Sequence, residues 1–504
     1  MDSSMVSKAT SRRARAGLLG GPARPGALRL LALTTALLPA TALAQAPAAE
    51  PPAAPAPRMA APEVRAGGIT AEAVGQRAAE TSFSAKAAEE QLRAAAARVD
   101  QAWASYLPRV TGKAGYTRLS DFTPPSLGGS FVGTPQPPGT PNPTPTQAIG
   151  FSIPLVLNNW TLEAQIVVPI SDYFLRINKA YTAATQSREA ARLDVISARA
   201  KSASDGKAAF YGWLRARGAV VVAVQGLEDA KIHLNDARNQ FAVGNASRAD
   251  VLRAETAVAG MELTVERAKN LSSLTERQVR VAMHTKEGEE IVPGEGTDGD
   301  VPPYPGTLTA LVEEAKSNRY EVRSIDANAA AAKKQAEAVR GGAYPQIAAF
   351  GTATYANPNP RRFPQTNDWF PTWALGAQLT WSPNDTYSSL AGANDVEARA
   401  SAAEAQKGAV RDGVELEVTQ AFQGVKEADV AIETTKRQIA SATEAYRVAR
   451  ELFNNGRGTS TTLTDAETEL TRARLEALNA RVDARVARVR LEHALGRDAK
   501  AYDR

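Results

Sequence analysis

Side chains that commonly carry chemistry are scarce in this sequence. Its 504 residues include no cysteine and three histidines, which excludes thiolate metal sites, disulfides, cysteine nucleophiles and a lipid-modified cysteine. His233, His284 and His493 stand far apart in charged, helix-forming surroundings, the setting of surface histidines rather than of a metal or acid–base cluster. There is no phosphate-binding glycine loop and no zinc helix motif, and no carboxylate pair stands out from the Glu/Arg background. Neither an enzyme activity nor a cofactor nor a metal is therefore expected. What recurs instead is a turn. Phe241-Ala-Val-Gly-Asn-Ala-Ser-Arg-Ala-Asp-Val-Leu252 and Phe453-Asn-Asn-Gly-Arg-Gly-Thr-Ser-Thr-Thr-Leu463 align at a shift of 212, which puts Phe241 on Phe453 and Gly244 on Gly456. A glycine accepts the positive φ needed to reverse the chain between antiparallel helices, and Ser247 or Thr459 is suited to cap the returning helix.

The elements that position these turns follow from proline placement. No proline lies between Pro169 and Pro293 or after Pro383, leaving two tracts of 123 and 121 residues rich in Ala, Arg, Glu, Leu and Val, the composition of long helices. A shift of 237 superposes Thr70 on Thr307, Ala78 on Ala315, Phe83 on Tyr320 and Pro108 on Pro345. A shift of 213 superposes Ala164-Gln165-Ile166 on Ala377-Gln378-Leu379 and Asp172 on Asp385. The chain is thus duplicated, and the first copy carries 24 extra residues in the Pro/Gly/Thr-rich run from Phe122 to Phe151, a loop. Each half reads as helix, strand, loop, strand, long helix, turn, long helix. From Asp172 to Phe241 a helix of about 105 Å is expected at 1.5 Å per residue, more than a globular domain needs. In the last helix Leu463, Ala466, Leu470, Ala473, Ala477, Ala480, Ala484, Ala487 and Leu491 form a heptad seam. Leu475, Leu478, Val482, Val486 and Val489 form a second stripe on another face. Two seams mean a helix with neighbours on both sides, as in a wall of helices.

The strands alternate. Leu162, Ala164, Ile166, Val168 and Ile170 share one face against Glu163 and Gln165. Trp373, Leu375, Ala377, Leu379 and Trp381 share one against Ala374, Gly376, Gln378 and Thr380. Such faces suit lipid, although an edge strand of a soluble sheet alternates in the same way. Four strands cannot close a transmembrane barrel, whose smallest form has about 8, and open edges cannot sit in lipid. A membrane location therefore requires oligomerisation, and three copies give a 12-stranded barrel continued by a cylinder of helices. The expected fold class is mainly α with a small β component.

Residues 1–44 read as a secretory signal: a basic stretch, an apolar run from Leu30 to Leu38, and Ala42-Leu43-Ala44 before Gln45. A short N-terminal anchor is the competing reading. Without this segment the 59 cations and 54 anions become 53 of each, so a neutral mature chain argues against nucleic acid as a partner. Residues 45–67 form a Pro/Ala-rich leader, 68–287 the first repeat, 288–306 a linker, 307–497 the second repeat and 498–504 a C-terminal tail. No later window approaches the ~18 to 20 apolar residues of a transmembrane helix.

From about Gly68 to Gly496 the sequence resembles the TolC-type outer-membrane efflux protein family. The resemblance is carried by Tyr106-Leu107-Pro108 and Tyr344-Pro345-Gln346, by the strand-to-helix passages at Ile166 to Asp172 and Leu379 to Asp385, and by the paired turns. It implies a homotrimer in the outer membrane of a Gram-negative bacterium, with outer-membrane lipid around the barrel and a helical tunnel through the periplasm; residues 288–306 become an equatorial segment. The resemblance also implies partners: a periplasmic adaptor (membrane fusion) protein and a proton-driven or ABC inner-membrane transporter, for which the chain is the exit duct in efflux or type I secretion. The turns become the periplasmic tip, with Gly244, Asn245, Ser247, Val251, Leu252, Gly456, Arg457, Thr459 and Leu463 meeting the adaptor. Asp465 falls on one of the family's lumen aspartate positions; Thr462 stands at the other, and Asp250 is its first-half counterpart. The sequence departs from the family at Phe453, which lacks a hydroxyl, and at Gly458, where the family has an arginine. A periplasmic coiled-coil scaffold or adaptor without a barrel is the alternative. The cargo, whether drugs, metals or polypeptides, is not encoded in these motifs.

Overall fold

The computed structural model describes residues 64–121, 156–286 and 289–503, together with Ser130, Phe131, Pro138, Ala148 and Ile149. The signal sequence, most of the Pro/Ala leader and most of the 122–151 loop lie outside the described residues.

The same order of elements occurs twice. The first copy comprises α1 (Ala71–Thr81), α2 (Phe83–Ala104), β1 (Arg109–Arg118), β2 (Asn158–Val168), α3 (Asn178–Ala242) and α4 (Arg248–Met283). The second comprises α5 (Leu308–Asn318), α6 (Tyr320–Arg340), β3 (Gln346–Asn357), β4 (Phe370–Thr380), α7 (Pro383–Asn454) and α8 (Ser460–Ala494). Helices α3 and α7 have 65 and 72 residues, each on the order of 100 Å long. Thr70 and Thr307, matched by the shift of 237, are the N-cap residues of α1 and α5.

Each short helical segment is two helices, not the single helix expected. The break falls at Ser82 and at its counterpart Arg319, both in extended backbone. Ser82 Oγ accepts from Ala85 N. Arg319, which is buried, donates to the carbonyls of His493 and Ala494 and pairs with Glu321 and Glu417. Local capping and a long-range anchor thus end the same helix by different means. A further asymmetry precedes α3, where Ile170–Asp172 and a π-helical turn at Tyr173–Ile177 lead in; α7 instead starts directly from Ser382 with Pro383 in its first turn.

Most of the first expected seam of α8 is buried, with Ala466 and Ala487 half-buried; of the second stripe Leu478 and Val482 are buried and Leu475, Val486 and Val489 half-buried. Leu463, Leu470, Ala473 and Leu491 pack against α7 through Phe453, Ala442, Val418 and their neighbours. The second stripe meets α3, with Leu478 lying against Gly218. One helix therefore has a neighbour on each side, and alanines and glycines set the close spacing. Residues 498–503 are not a free tail. Asp498–Tyr502 forms a 3-10 turn, and Asp503 accepts from Arg192 and from the Tyr320 hydroxyl.

The four strands form one antiparallel sheet in the order β1-β2-β3-β4, so the β2–β3 pairing joins the two copies. Its outer strands β1 and β4 each have one unpaired edge among the described residues.

Candidate functional site

The sheet is the first functional surface. Its register aligns Val110 with Ile166, Gly351 and Leu375, and Gly112 with Ala164, Ala353 and Trp373. Leu162 pairs with Ala114 and Tyr355, Val168 with Ala349, and Leu379 with Ile347. The expected residues Leu162, Ile166, Val168, Trp373, Leu375 and Leu379 therefore share one face, with Trp381 just beyond the end of β4. Trp373 is 77% exposed, and Leu162, Ile166, Leu375, Leu379 and Trp381 are exposed too, whereas Val168 is half-buried. The opposite face carries Thr111, Gln165 and Thr352 in one row and Lys113, Glu163, Thr354 and Thr372 in another. Lys113 and Glu163 approach to 3.7 Å. An exposed apolar face backed by a polar one inverts a soluble sheet and matches a strand set with lipid outside and water inside.

Aromatic rings sit at both ends of this face. Away from the helices Tyr116 packs on Trp160 at 4.4 Å and Tyr355 on Trp369 at 4.9 Å between centroids. At the helix end Trp381 Nε1 donates to Thr386 Oγ1 at 3.1 Å, and Phe174 and Tyr387 are exposed. Strands of 10 to 12 residues bounded by two aromatic belts have the length needed to cross a bilayer, about 9–11 residues when tilted.

The paired turns are the second surface. Gly244 and Gly456 have φ of 79° and 67°, and the backbone bonds repeat: Gly244 N to Phe241 O and Asn245 N to Gln240 O in one, Gly456 N to Phe453 O and Arg457 N to Leu452 O in the other. Ser247 Oγ accepts from Asp250 N and Thr459 Oγ1 from Thr462 N, both at 3.2 Å. The turns adjoin, since Gln240 Nε2 donates to Asn454 O at 2.7 Å. Asn245 Nδ2 donates to Gln240 Oε1, and Leu252 and Arg457 are exposed. Val251 and Leu463, expected to face a partner, are instead buried with Ala237, Ala254, Ala449 and Phe453 in an apolar cluster behind the turns. Each follows the N-cap by four residues, which points it inward against the neighbouring helix.

The acidic positions separate. Asp250 Oδ2 accepts from Ser247 N and Oγ, and Oδ1 accepts from Arg253 at 3.0 Å. The Ser247 hydroxyl and amide, followed by the Arg253 charge, hold its carboxyl below the ordinary aspartate range. Thr462 has no charge and meets the Thr459 hydroxyl at 2.9 Å. Asp465 is exposed on α8. His233, expected on the surface, is buried and hydrogen-bonded to buried Glu467. His284 caps α4 in the left-handed conformation, and His493 pairs with Asp498.

The sequence pattern of the family described as outer membrane efflux protein matches residues 74–283 and 311–497, both repeats. The chain belongs to the outer membrane efflux protein family. No curated protein matches it significantly in sequence. Among solved structures it is similar to VceC, an outer membrane protein of Vibrio cholerae, at 18% identity and a TM-score of 0.67, covering 84% of this chain and 96% of that one. It is similar to the outer-membrane channel OprN at 19% identity and a TM-score of 0.67, covering 84% and 89%. The open state of the MtrE outer membrane channel of Neisseria gonorrhoeae matches at 15% identity and a TM-score of 0.65, covering 84% and 88%. As an outer membrane efflux protein, the chain lies in the outer membrane and extends into the periplasm. Its four strands are one protomer's share of the barrel and its long helices one protomer's share of the tunnel.

Proposed function

We propose that this outer membrane efflux protein is the passive exit duct of a tripartite efflux or type I secretion system, energised by an inner-membrane transporter and reached through a periplasmic adaptor. The observation that carries this reading is the sheet: its apolar face is exposed, its polar face is turned the other way, and its edges on β1 and β4 are open among the described residues. Open edges cost too much in lipid to stay unpaired, and three copies joined edge to edge give a 12-stranded barrel with a water-lined interior. A duct of this kind needs no catalytic group, and energy has to come from its partners.

The adaptor contact is assigned to the exposed residues of the turns, Gly244, Asn245, Ser247, Leu252, Gly456, Arg457 and Thr459, with Val251 and Leu463 supporting them from behind. The lumen constriction is assigned chiefly to Asp465. Threefold symmetry gathers three copies of that exposed carboxylate around one axis, whereas Asp250 is already committed to its capping box and ion pair. Thr462 adds no charge. The ring attracts cations, so single channels of the Asp465→Asn variant in a planar bilayer should lose cation selectivity and block by trivalent cations. Identical selectivity in both channels removes Asp465 from the lumen. The duct reading as a whole is tested by export from a strain lacking its own outer-membrane duct but holding adaptor and pump; restored export supports it, and a detergent-indifferent soluble monomer rejects it.

A further inference from the structure

His233 occupies a seam position of α3. Ala223, Gly226, Ala230, His233 and Ala237 step by 3 and 4 and are all buried, so within this stretch an imidazole stands in a row otherwise made of Ala and Gly. It is 2% exposed, and Glu467 across the seam on α8 is 8% exposed. His233 Nδ1 lies 3.1 Å from Glu467 Oε2, and Nε2 lies 3.5 Å from Oγ of buried Ser460, the first residue of α8. Phe453 meets the ring edge-on at 5.5 Å. The second carboxylate oxygen, Glu467 Oε1, is buried without a hydrogen-bond partner.

The charges around this pair are otherwise balanced. On α3, Asp229 pairs with Arg474 of α8 at 2.8 Å and Asp236 with Arg450 of α7 at 3.1 Å. Tyr446 of α7 stays neutral, its hydroxyl pushed up to about 12 by burial and by the nearby carboxylates. On α4, Glu255 is taken by Arg238. Three anions thus meet three cations, and Glu467 is left with His233 as its remaining counter-ion. With a neutral imidazole the seam holds one uncompensated carboxylate, a costly state for a buried group. With an imidazolium the seam is neutral, and both ring nitrogens donate, one to Glu467 and one to Ser460.

We propose that His233 and Glu467 form a proton-dependent clasp, which holds α3 to the start of α8 directly behind the turns and loosens them as the periplasm becomes less acidic. Histidine is the side chain whose ordinary titration falls in that range. The consequence for conduction rests on the turns being the duct's periplasmic gate; the clasp itself does not.

The experiment separates the two. Because the chain has no cysteine, Ala242→Cys and Asn455→Cys introduce the sole spin-label sites, one on each turn, into the full-length trimer in lipid nanodiscs. Distances are measured at about pH 5.5 and about pH 8, which brackets histidine titration and stays above that of ordinary carboxylates. The expected result is a narrow distribution in acid that broadens at the higher pH, and no change with pH in His233→Gln, which keeps a hydrogen-bonding amide without a titrating group. His284 and His493 remain in that variant as internal controls. Single-channel open probability should rise about threefold or more over the same interval in the wild type. Invariant distances in the wild type, or an equal response in His233→Gln, overturn the clasp. Should the variant fail to assemble, Glu467→Gln provides the same loss of pH response. Distances that respond while conductance does not leave the clasp standing and reject the turns as the gate.

Discussion

The two turns have the same backbone and different chemistry. Both reverse through a glycine at positive φ and both start the next helix from a hydroxyl cap. Turn one adds a reciprocal carboxylate, Asp250, and an ion pair with Arg253, and its aromatic residue Phe241 is 44% exposed. Turn two has threonines at both cap positions, and its aromatic residue Phe453 is 4% exposed, set in the apolar cluster and against His233. Duplication thus preserved what the chain reversal demands and left the side chains to diverge. Both turns are backed by one apolar cluster; turn one adds surface polar bonds, and turn two adds a buried ring.

Truncation of the two aromatics should separate the turns most strongly. Phe453→Ala should cost about 3–5 kcal/mol of local stability, as expected for a buried ring, and Phe241→Ala less than about 1 kcal/mol. Amide hydrogen exchange over residues 446–466 and 234–254 reads both; equal losses would erase the distinction. Next, Gly244→Val and Gly456→Val each force a β-branched residue into the left-handed region, at about 1–2 kcal/mol per site. Together they should abolish export while the trimer persists in the membrane, and unchanged export counts against the turns as the adaptor-facing end.

Smaller effects test the caps. Ser247→Ala should cost about 1 kcal/mol, because it strips Asp250 of its hydroxyl partner as well as losing the cap; Thr459→Ala should cost less. Exchange rates at the first amides of α4 and α8 check the order. The smallest effect is acid sensitivity. The Asp250 carboxyl is held below its ordinary range, so its contribution is fully present above that range and disappears as pH falls through the lower value of the folded turn. Pepsin should therefore nick between Phe241 and Leu252 only toward the acid end, and Ser247→Ala should move the onset to higher pH. An onset unaffected by that substitution would show that the capping box does not protect the turn.

What the sequence made legible was periodic or local. The alternation of Trp373, Leu375 and Leu379, the seam from Leu463 to Leu491, and the glycines of the turns each follow from a repeat of two, of seven or from a positive φ, and each takes its expected place in the structure. What it hid depends on partners far along the chain. The burial of His233 needs Glu467, and the helix break at Arg319 is held by the carbonyls of His493 and Ala494. A signal for His233 did exist, in its 3-and-4 spacing from Ala230 and Ala237, but its charged neighbours masked it. The capping serine and threonine announced the start of α4 and α8, and Leu463 already stood in the expected seam; the burial of Val251 with Ala449 and Phe453 depends on residues some 200 positions along the chain.

The fate of the two sheet edges left open among the described residues decides between a duct and a scaffold. Imaging of the protein extracted in detergent and placed in lipid nanodiscs, by electron cryo-microscopy, tests the duct directly. The expected particle has threefold symmetry, with β1 of one protomer paired to β4 of the next in a closed 12-stranded barrel whose Trp373 and Leu375 face lipid. A monomer with unpaired edges, or a trimer whose Trp373 face is packed against protein and whose polar face meets lipid, would contradict it.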